Sequence, residues 1–109
     1  MAVNGASDNS VLASFNVKGR NIVITGGCRG LGLSFAQSLA QCGANIAAID
    51  LNDQASEEFS RISFGGKYKY YQANVADYGV LKETVDRIHE DFGSIDGWYD
   101  VTKQHITTH

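Results

Sequence analysis

Four glycines fall within seven residues, Gly26, Gly27, Gly30 and Gly32, directly after the apolar run Asn21-Ile22-Val23-Ile24-Thr25. An amphipathic stretch opens at Gly30. A strand, a glycine turn and a helix start in that order converge free backbone N–H groups and the positive end of a helix dipole on one point, and glycine lets the main chain come close to whatever is held there. The chemistry on offer is anion binding, with a nucleotide pyrophosphate as the natural guest. Two further polar residues stand at the ends of apolar runs: Asp50, eighteen positions after Gly32, and Asn74. A carboxylate at the first can accept from ribose hydroxyls and repel a 2′-phosphate, and a side-chain carbonyl at the second can accept from a base amino group.

The elements that must position these residues follow from periodicity. Residues 21–25 read as a strand, and Gly30 to Cys42 as a helix in which Leu31, Phe35 and Leu39 recur every four positions, with Gly43 as its stop. Asn45 to Ile49 is apolar almost throughout, as in a parallel strand covered on both faces, and ends at Asp50. Asn52 or Asp53 caps a helix running to about Ile62, with Phe59 and Ile62 facing inward, before Gly65-Gly66 breaks the chain. Lys67 to Ala73 reads as a third strand, whose Lys67 and Lys69 suit an outer position. Asp77 caps the clearest helix, with Leu81, Val85, Ile88 and Phe92 on one stripe and Gly93 at its end. Three strands alternating with three helices predict an α/β fold: half of a Rossmann-type doubly wound parallel sheet in spatial order 3-2-1, with right-handed crossovers and the glycine turn at its carboxyl edge.

The glycines match TGxxxGxG rather than GxGxxG, with Thr25, Gly26, Gly30 and Gly32 in the fixed places. On that pattern, and on Asp50, Asn74-Val75 and the helix ending Phe92-Gly93, the chain resembles the short-chain dehydrogenase/reductase family over roughly residues 15–96. The resemblance implies that Thr25, Gly26, Arg29, Gly30, Leu31 and Gly32 form the cofactor turn, that Asp50 holds the adenosine ribose, and that Asn74 and Val75 meet the adenine. The family reaction it implies is hydride transfer between NAD(P) and an alcohol or carbonyl. Asp50 favours NAD; Arg29, beside the turn, is the residue that could pair with the phosphate of NADP, the less favoured cofactor. Ser14 to Arg20 is similar to fungal sugar-alcohol dehydrogenases and ketose reductases, which suggests a polyol or ketose substrate.

The family continues past Ile95-Asp96 into a fourth apolar strand with an Asn-Asn-Ala-Gly turn, and only later supplies its catalytic Asn, Ser, Tyr and Lys. Here residues 97–109 depart from that pattern. Tyr99 and Lys103 have the YxxxK spacing but follow the third helix too closely to be that pair, so we expect no catalytic residues and a portion truncated before the catalytic half. The alternative reading is a non-catalytic nucleotide-binding or interaction module. The expected organisation is a flexible segment over 1–16, an NAD(P)-binding portion over 17–96 and a divergent tail over 97–109. With no fourth strand, Ile22, Val23 and Ile24 would form an open apolar edge that invites self-association.

Composition sets the remaining bounds. The chain has 109 residues, 43% apolar and 19% charged, with nine Lys and Arg against twelve Asp and Glu for a net charge of −3. That balance and the absence of a basic run favour neither nucleic acid nor an anionic membrane. No apolar stretch reaches the roughly 18 residues of a membrane span, and residues 1–14 lack a secretory pattern, so the expected setting is cytoplasmic. Cys28 and Cys42 lack CxxC spacing and read as reduced thiols. His89, His105 and His109 lack the partners of a metal site, and none is expected.

Overall fold

The computed structural model describes residues 16–101 and the backbone of 105–108. The elements are β1 (Asn21–Thr25), α1 (Gly30–Gln41), β2 (Asn45–Asp50), α2 (Glu57–Ser60), β3 (Tyr68–Gln72), α3 (Tyr78–Phe92), β4 (Gly97–Asp100) and β5 (His105–Thr108). They build one sheet in the order β3-β2-β1-β4-β5, with β5 antiparallel to β4 and the other pairings parallel. The predicted order 3-2-1 is therefore present and is extended by two strands.

Alternation along the inner strands divides the core into two layers. Ile22, Ile24, Ile46 and Ala48 point to the side covered by Ala36 and Leu39 of α1 and Phe59 of α2, while Val23, Ala47 and Ile49 meet Tyr71 of β3 and Ile88 of α3 on the other. Strands buried on both faces lose the polar alternation of a one-sided sheet, which is why β1 and β2 are nearly continuous apolar runs.

Three expectations need correction. The first is the edge. β1 is not open: Ile22, Val23, Ile24 and Thr25 pair with Gly97, Trp98, Tyr99 and Asp100, so the edge expected to drive self-association is covered. Residues 97–100, expected to begin a divergent tail, are thus part of the sheet. Asn21 steers them there, because its N–H donates to Asp96 Oδ2 at 2.8 Å, its carbonyl accepts from Asp96 N at 2.8 Å, and its side-chain amide donates to the carbonyl of Ser94 at 3.1 Å. Second, the inward stripe of α1 is Gly32, Ala36, Leu39 and Ala40, whereas Leu31 is 51% exposed. Leu39 is buried as expected and Phe35 packs half-buried against Tyr99, while at the start of the helix the close approach to the Gly26 carbonyl admits only Gly32.

Third, α2 is one turn, capped by Ser56, whose Oγ accepts from Phe59 N at 3.2 Å. Asn52 and Asp53 are used elsewhere: the Asn52 carbonyl accepts from the Tyr70 hydroxyl, and Asp53 Oδ1 accepts from Gln72 Nε2 at 2.8 Å, tying the loop to β3. Phe59 and Ile62 do face inward. The helix after Asp77 is as expected: Asp77 Oδ1 accepts from Val80 N at 3.1 Å, and Gly93 ends it at φ +91°.

β3 is an outer strand, as its lysines suggested. Lys69 Nζ (2.8 Å) and the Tyr71 hydroxyl (2.6 Å) both donate to Asp91 Oδ2. Those hydrogen bonds, Lys69 first, hold the Asp91 carboxyl below the usual carboxylate range. A carboxyl with a depressed folded pKa adds stability above its unfolded pKa of about 3.9 and loses it as the pH falls through the folded value. Asp91→Asn is expected to lower stability at pH 7 and to converge with wild type in strong acid, as urea melts across pH would report.

Candidate functional site

The glycine turn is built by steric necessity. Gly26 leaves β1 at φ +72°, and its N–H donates to the Ile49 carbonyl at 2.7 Å, swinging the chain toward β2. A Cβ on Gly32 would stand 2.0 Å from the Gly26 carbonyl oxygen and 2.8 Å from Val101 Cγ2, so only glycine lets α1 start directly above the turn. Gly30, at φ +57°, is different, because a Cβ there would meet nothing within 4 Å. Its free side faces open space. Arg29, the N-cap residue, is extended (φ −159°) and supplies no side-chain cap, and the first turn of α1 holds no acid. Its N-terminal amides are therefore not claimed by a capping side chain, and the positive end of the dipole is not offset by a local carboxylate.

Asp50 ends β2 at the same sheet edge. Its Oδ1 accepts from Leu51 N at 2.9 Å, while Oδ2 is buried without a hydrogen-bond partner. A buried carboxylate oxygen left unpaired is costly unless a ligand completes it, so the residue fits a ligand hydroxyl that donates to it. Asn74 follows β3 and is exposed. Its Oδ1 accepts from Ala76 N at 3.0 Å, an Asx turn that leaves one lone pair for a base amino group.

An open groove of ≈ 180 Å³ runs along this carboxyl edge and gathers Thr25, Gly26, Asp50, Asn74 and Val75 from the sequence-derived set. Arg29, Gly30, Leu31 and Gly32 belong to the adjoining turn and not to the groove wall. Sequence reasoning missed Ile49, Leu51, Ala73 and Val101, which line it too. Val101 was findable only by recognising β4, since the residue after a parallel strand in this position must arrive beside the end of β1. Thr25 Oγ1 donates to Asp100 Oδ1 at 3.3 Å, fastening those two strand ends together.

Two nucleophilic or acidic groups stand behind the turn. Burial pushes the Cys28 thiol up, with the Asp50 carboxylate adding to it against a hydrogen bond from the Ser56 backbone and the nearby Arg29. Cys28 is thus held as a neutral packing group. Tyr70 is pushed up to about 12, first by burial and then by Cys28 and Asp50. Neither is poised for proton transfer at neutral pH. Tyr99 lies in β4 at 7% exposure, its ring centroid 4.2 Å from that of Phe35, which is a core position; Lys103 falls outside the described residues. Among the described residues no cluster of His, Cys, Asp and Glu is placed to hold a metal, and no helix is long and apolar enough to cross a membrane.

Comparison with known proteins adds an independent line. A family model described as short chain dehydrogenase matches residues 20–101. The chain is 35% identical over 91 residues to a sorbose reductase of Candida albicans, covering 81% of this chain and 32% of that protein. The structure of an NADPH-dependent 3-quinuclidinone reductase from Rhodotorula rubra superposes with a TM-score of 0.73 at 31% identity, over 84% of this chain and 35% of the other. An NAD+-bound xylitol dehydrogenase structure gives a TM-score of 0.66 at 28% identity, over 76% and 33%. The chain spans about a third of the length of the relatives it matches.

Proposed function

Since this chain belongs to the short-chain dehydrogenase/reductase family, we propose that its carboxyl-edge groove binds NAD(P) and that the protein serves hydride transfer between that cofactor and an alcohol or carbonyl. The nicotinamide supplies the hydride chemistry when bound; the chain's own residues bind and orient. The turn amides around Gly30 would hold the diphosphate, the Asp50 carboxylate the adenosine ribose, and Asn74 and Val75 the adenine. The observation that carries the reading is the buried, unpartnered Asp50 Oδ2 beside an uncapped helix start.

NAD is the preferred form. A 2′-phosphate would face the Asp50 carboxylate directly, and like charges at close range in a half-buried groove repel more strongly than an exposed Arg29 attracts from the turn. NADP is the less favoured cofactor. The names of the sorbose reductase and the xylitol dehydrogenase support a polyol or ketose as the substrate class.

A second reading, a nucleotide-binding module without turnover, is favoured by one observation: Tyr99, which has a lysine four positions on, is packed into the core against Phe35. A melt in the presence of NAD+ tests the shared premise. At a concentration a hundredfold above Kd, binding to the folded form alone adds about 2.7 kcal/mol, a shift on the order of 10 °C for a domain of this size. No shift with either NAD+ or NADP+ would remove the proposal. Consumption of NADH with ketoses would then separate enzyme from binding module.

A further inference from the structure

We propose that Tyr70 and Gln72, on the outer strand β3, are positioning residues for the cofactor: they hold the first residues of the loop between β2 and α2, and through the backbone of Leu51 they aim the Asp50 carboxylate. The proposal rests on the dinucleotide-binding reading above and extends it to two side chains that do not line the groove.

The loop needs such support. Leu51, Asn52, Asp53 and Gln54 are exposed and belong to no helix or strand, so neither burial nor a backbone ladder orders them. β3 does so with side chains. The Tyr70 hydroxyl donates to the Asn52 carbonyl, and Gln72 Nε2 directs its two hydrogens to the Leu51 carbonyl at 3.2 Å and to Asp53 Oδ1 at 2.8 Å. Three consecutive loop residues are thereby tied to one strand. Tyr70 and Gln72 lie two positions apart, so their side chains leave β3 on the same face, and the register sets Tyr70 beside Ala48 and Gln72 beside Asp50. Tyr70 is pushed up to about 12, first by burial, and stays a donor throughout the neutral range.

The clamp reaches the ligand through Leu51. That residue donates its N–H to Asp50 Oδ1 at 2.9 Å and accepts from Gln72 on its carbonyl, so the peptide groups on both sides of its Cα are engaged. Restraining the second restrains the first, and with it the orientation in which Asp50 Oδ2 is left buried and unpartnered at the groove. With the carbonyls of Leu51 and Asn52 released, the loop gains freedom that binding must remove again, and the carboxylate loses the geometry a ribose hydroxyl needs. The Leu51 side chain lines the groove as well. An exposed apolar wall tolerates small shifts, however, whereas a hydrogen bond to a carboxylate weakens steeply with angle.

Calorimetric titration with NAD+ of the Tyr70→Phe/Gln72→Met variant, made in chains that carry either Asp50 or Asp50→Asn, tests this as a double-mutant cycle. Phenylalanine keeps the ring and methionine the unbranched shape, so the fold is retained. The expected result is a Kd for NAD+ raised at least about fivefold where Asp50 is present and less than about twofold where it is asparagine. Tyr70→Phe alone, which removes one oxygen, runs the same cycle if the pair lowers the melt. An equal factor in both backgrounds, as a merely structural role would give, or no weakening where Asp50 is present, overturns the proposal and leaves the dinucleotide-binding reading standing. No heat with NAD+ in the unaltered chain overturns both.

Discussion

Gly32→Ala is expected to cost about 3 kcal/mol or more of folding stability and to abolish NAD+ binding, whereas Gly30→Ala, two positions earlier in the same turn, is expected to cost only about 1 kcal/mol while weakening NAD+ at least tenfold. The two glycines are constrained from opposite sides. At position 32 the new methyl would lie 2.0 Å from the Gly26 carbonyl oxygen and 2.8 Å from that carbonyl's carbon, both backbone atoms that no rotamer change can move. The helix must lift or the turn must open. Either movement separates Val101 from Gly26 and disturbs the junction of β1, α1 and β4 together, which is why the cost belongs at or above the upper end for overpacking.

At position 30 the methyl meets no protein atom within 4 Å, so the stability cost is only that of a left-handed backbone at φ +57° in a residue with a Cβ. The methyl would instead occupy the space assigned to the diphosphate. Urea melts paired with NAD+ titrations of both variants check the contrast. A Gly32→Ala protein within about 1 kcal/mol of wild type would show that the turn is not close-packed in solution. Undiminished binding by Gly30→Ala would mean that the diphosphate sits elsewhere.

The contrast also explains what is legible in the sequence. The turn, β1, β2, Asp50 and the third helix each announce themselves through local pattern: glycine spacing, a continuous apolar run, a cap and a stripe. The fourth strand does not. Gly97 and Asp100 bracket only two large side chains, Trp98 and Tyr99, and four residues carry too little alternation to read as a strand. What makes them one is tertiary: Asn21 pins Asp96, and the open flank of β1 offers a parallel ladder. The inward face of α1 escapes periodicity for a related reason. Apolar bulk dominates a periodic reading, and Leu31 outweighs Gly32; close approach of the helix start to the turn selects for smallness there instead. At the site, Asp50 is legible because strand ends at a carboxyl edge are predictable, but the Asx turn of Asn74 and the arrival of Val101 depend on contacts that sequence spacing does not encode.

Asp50→Asn is expected to reverse the cofactor preference of the groove without harming the fold. Oδ1 is engaged by Leu51 N, and an asparagine carbonyl can keep that bond; Oδ2 is buried and unpartnered, and the substitution puts an uncharged amide donor in its place. A hydrogen bond from a ribose hydroxyl to a charged acceptor is worth about 1.5–3 kcal/mol, so NAD+ binding should weaken by roughly ten- to a hundredfold. Removing the carboxylate also removes the like-charge penalty against a 2′-phosphate and leaves Arg29 as the nearest fixed charge on the turn, so NADP+ should gain. In the absence of nucleotide the variant should be as stable as wild type or more so, because a half-buried carboxylate with one empty oxygen is a cost that the folded protein bears until ligand arrives. Parallel titrations with NAD+ and NADP+ and a melt of the free protein check all three arms. Loss of more than about 1 kcal/mol in the free protein would assign Asp50 to the loop between β2 and α2 as a structural anchor. A stable variant with unchanged NAD+ affinity would separate the carboxylate from the ribose, and with it the preference for NAD.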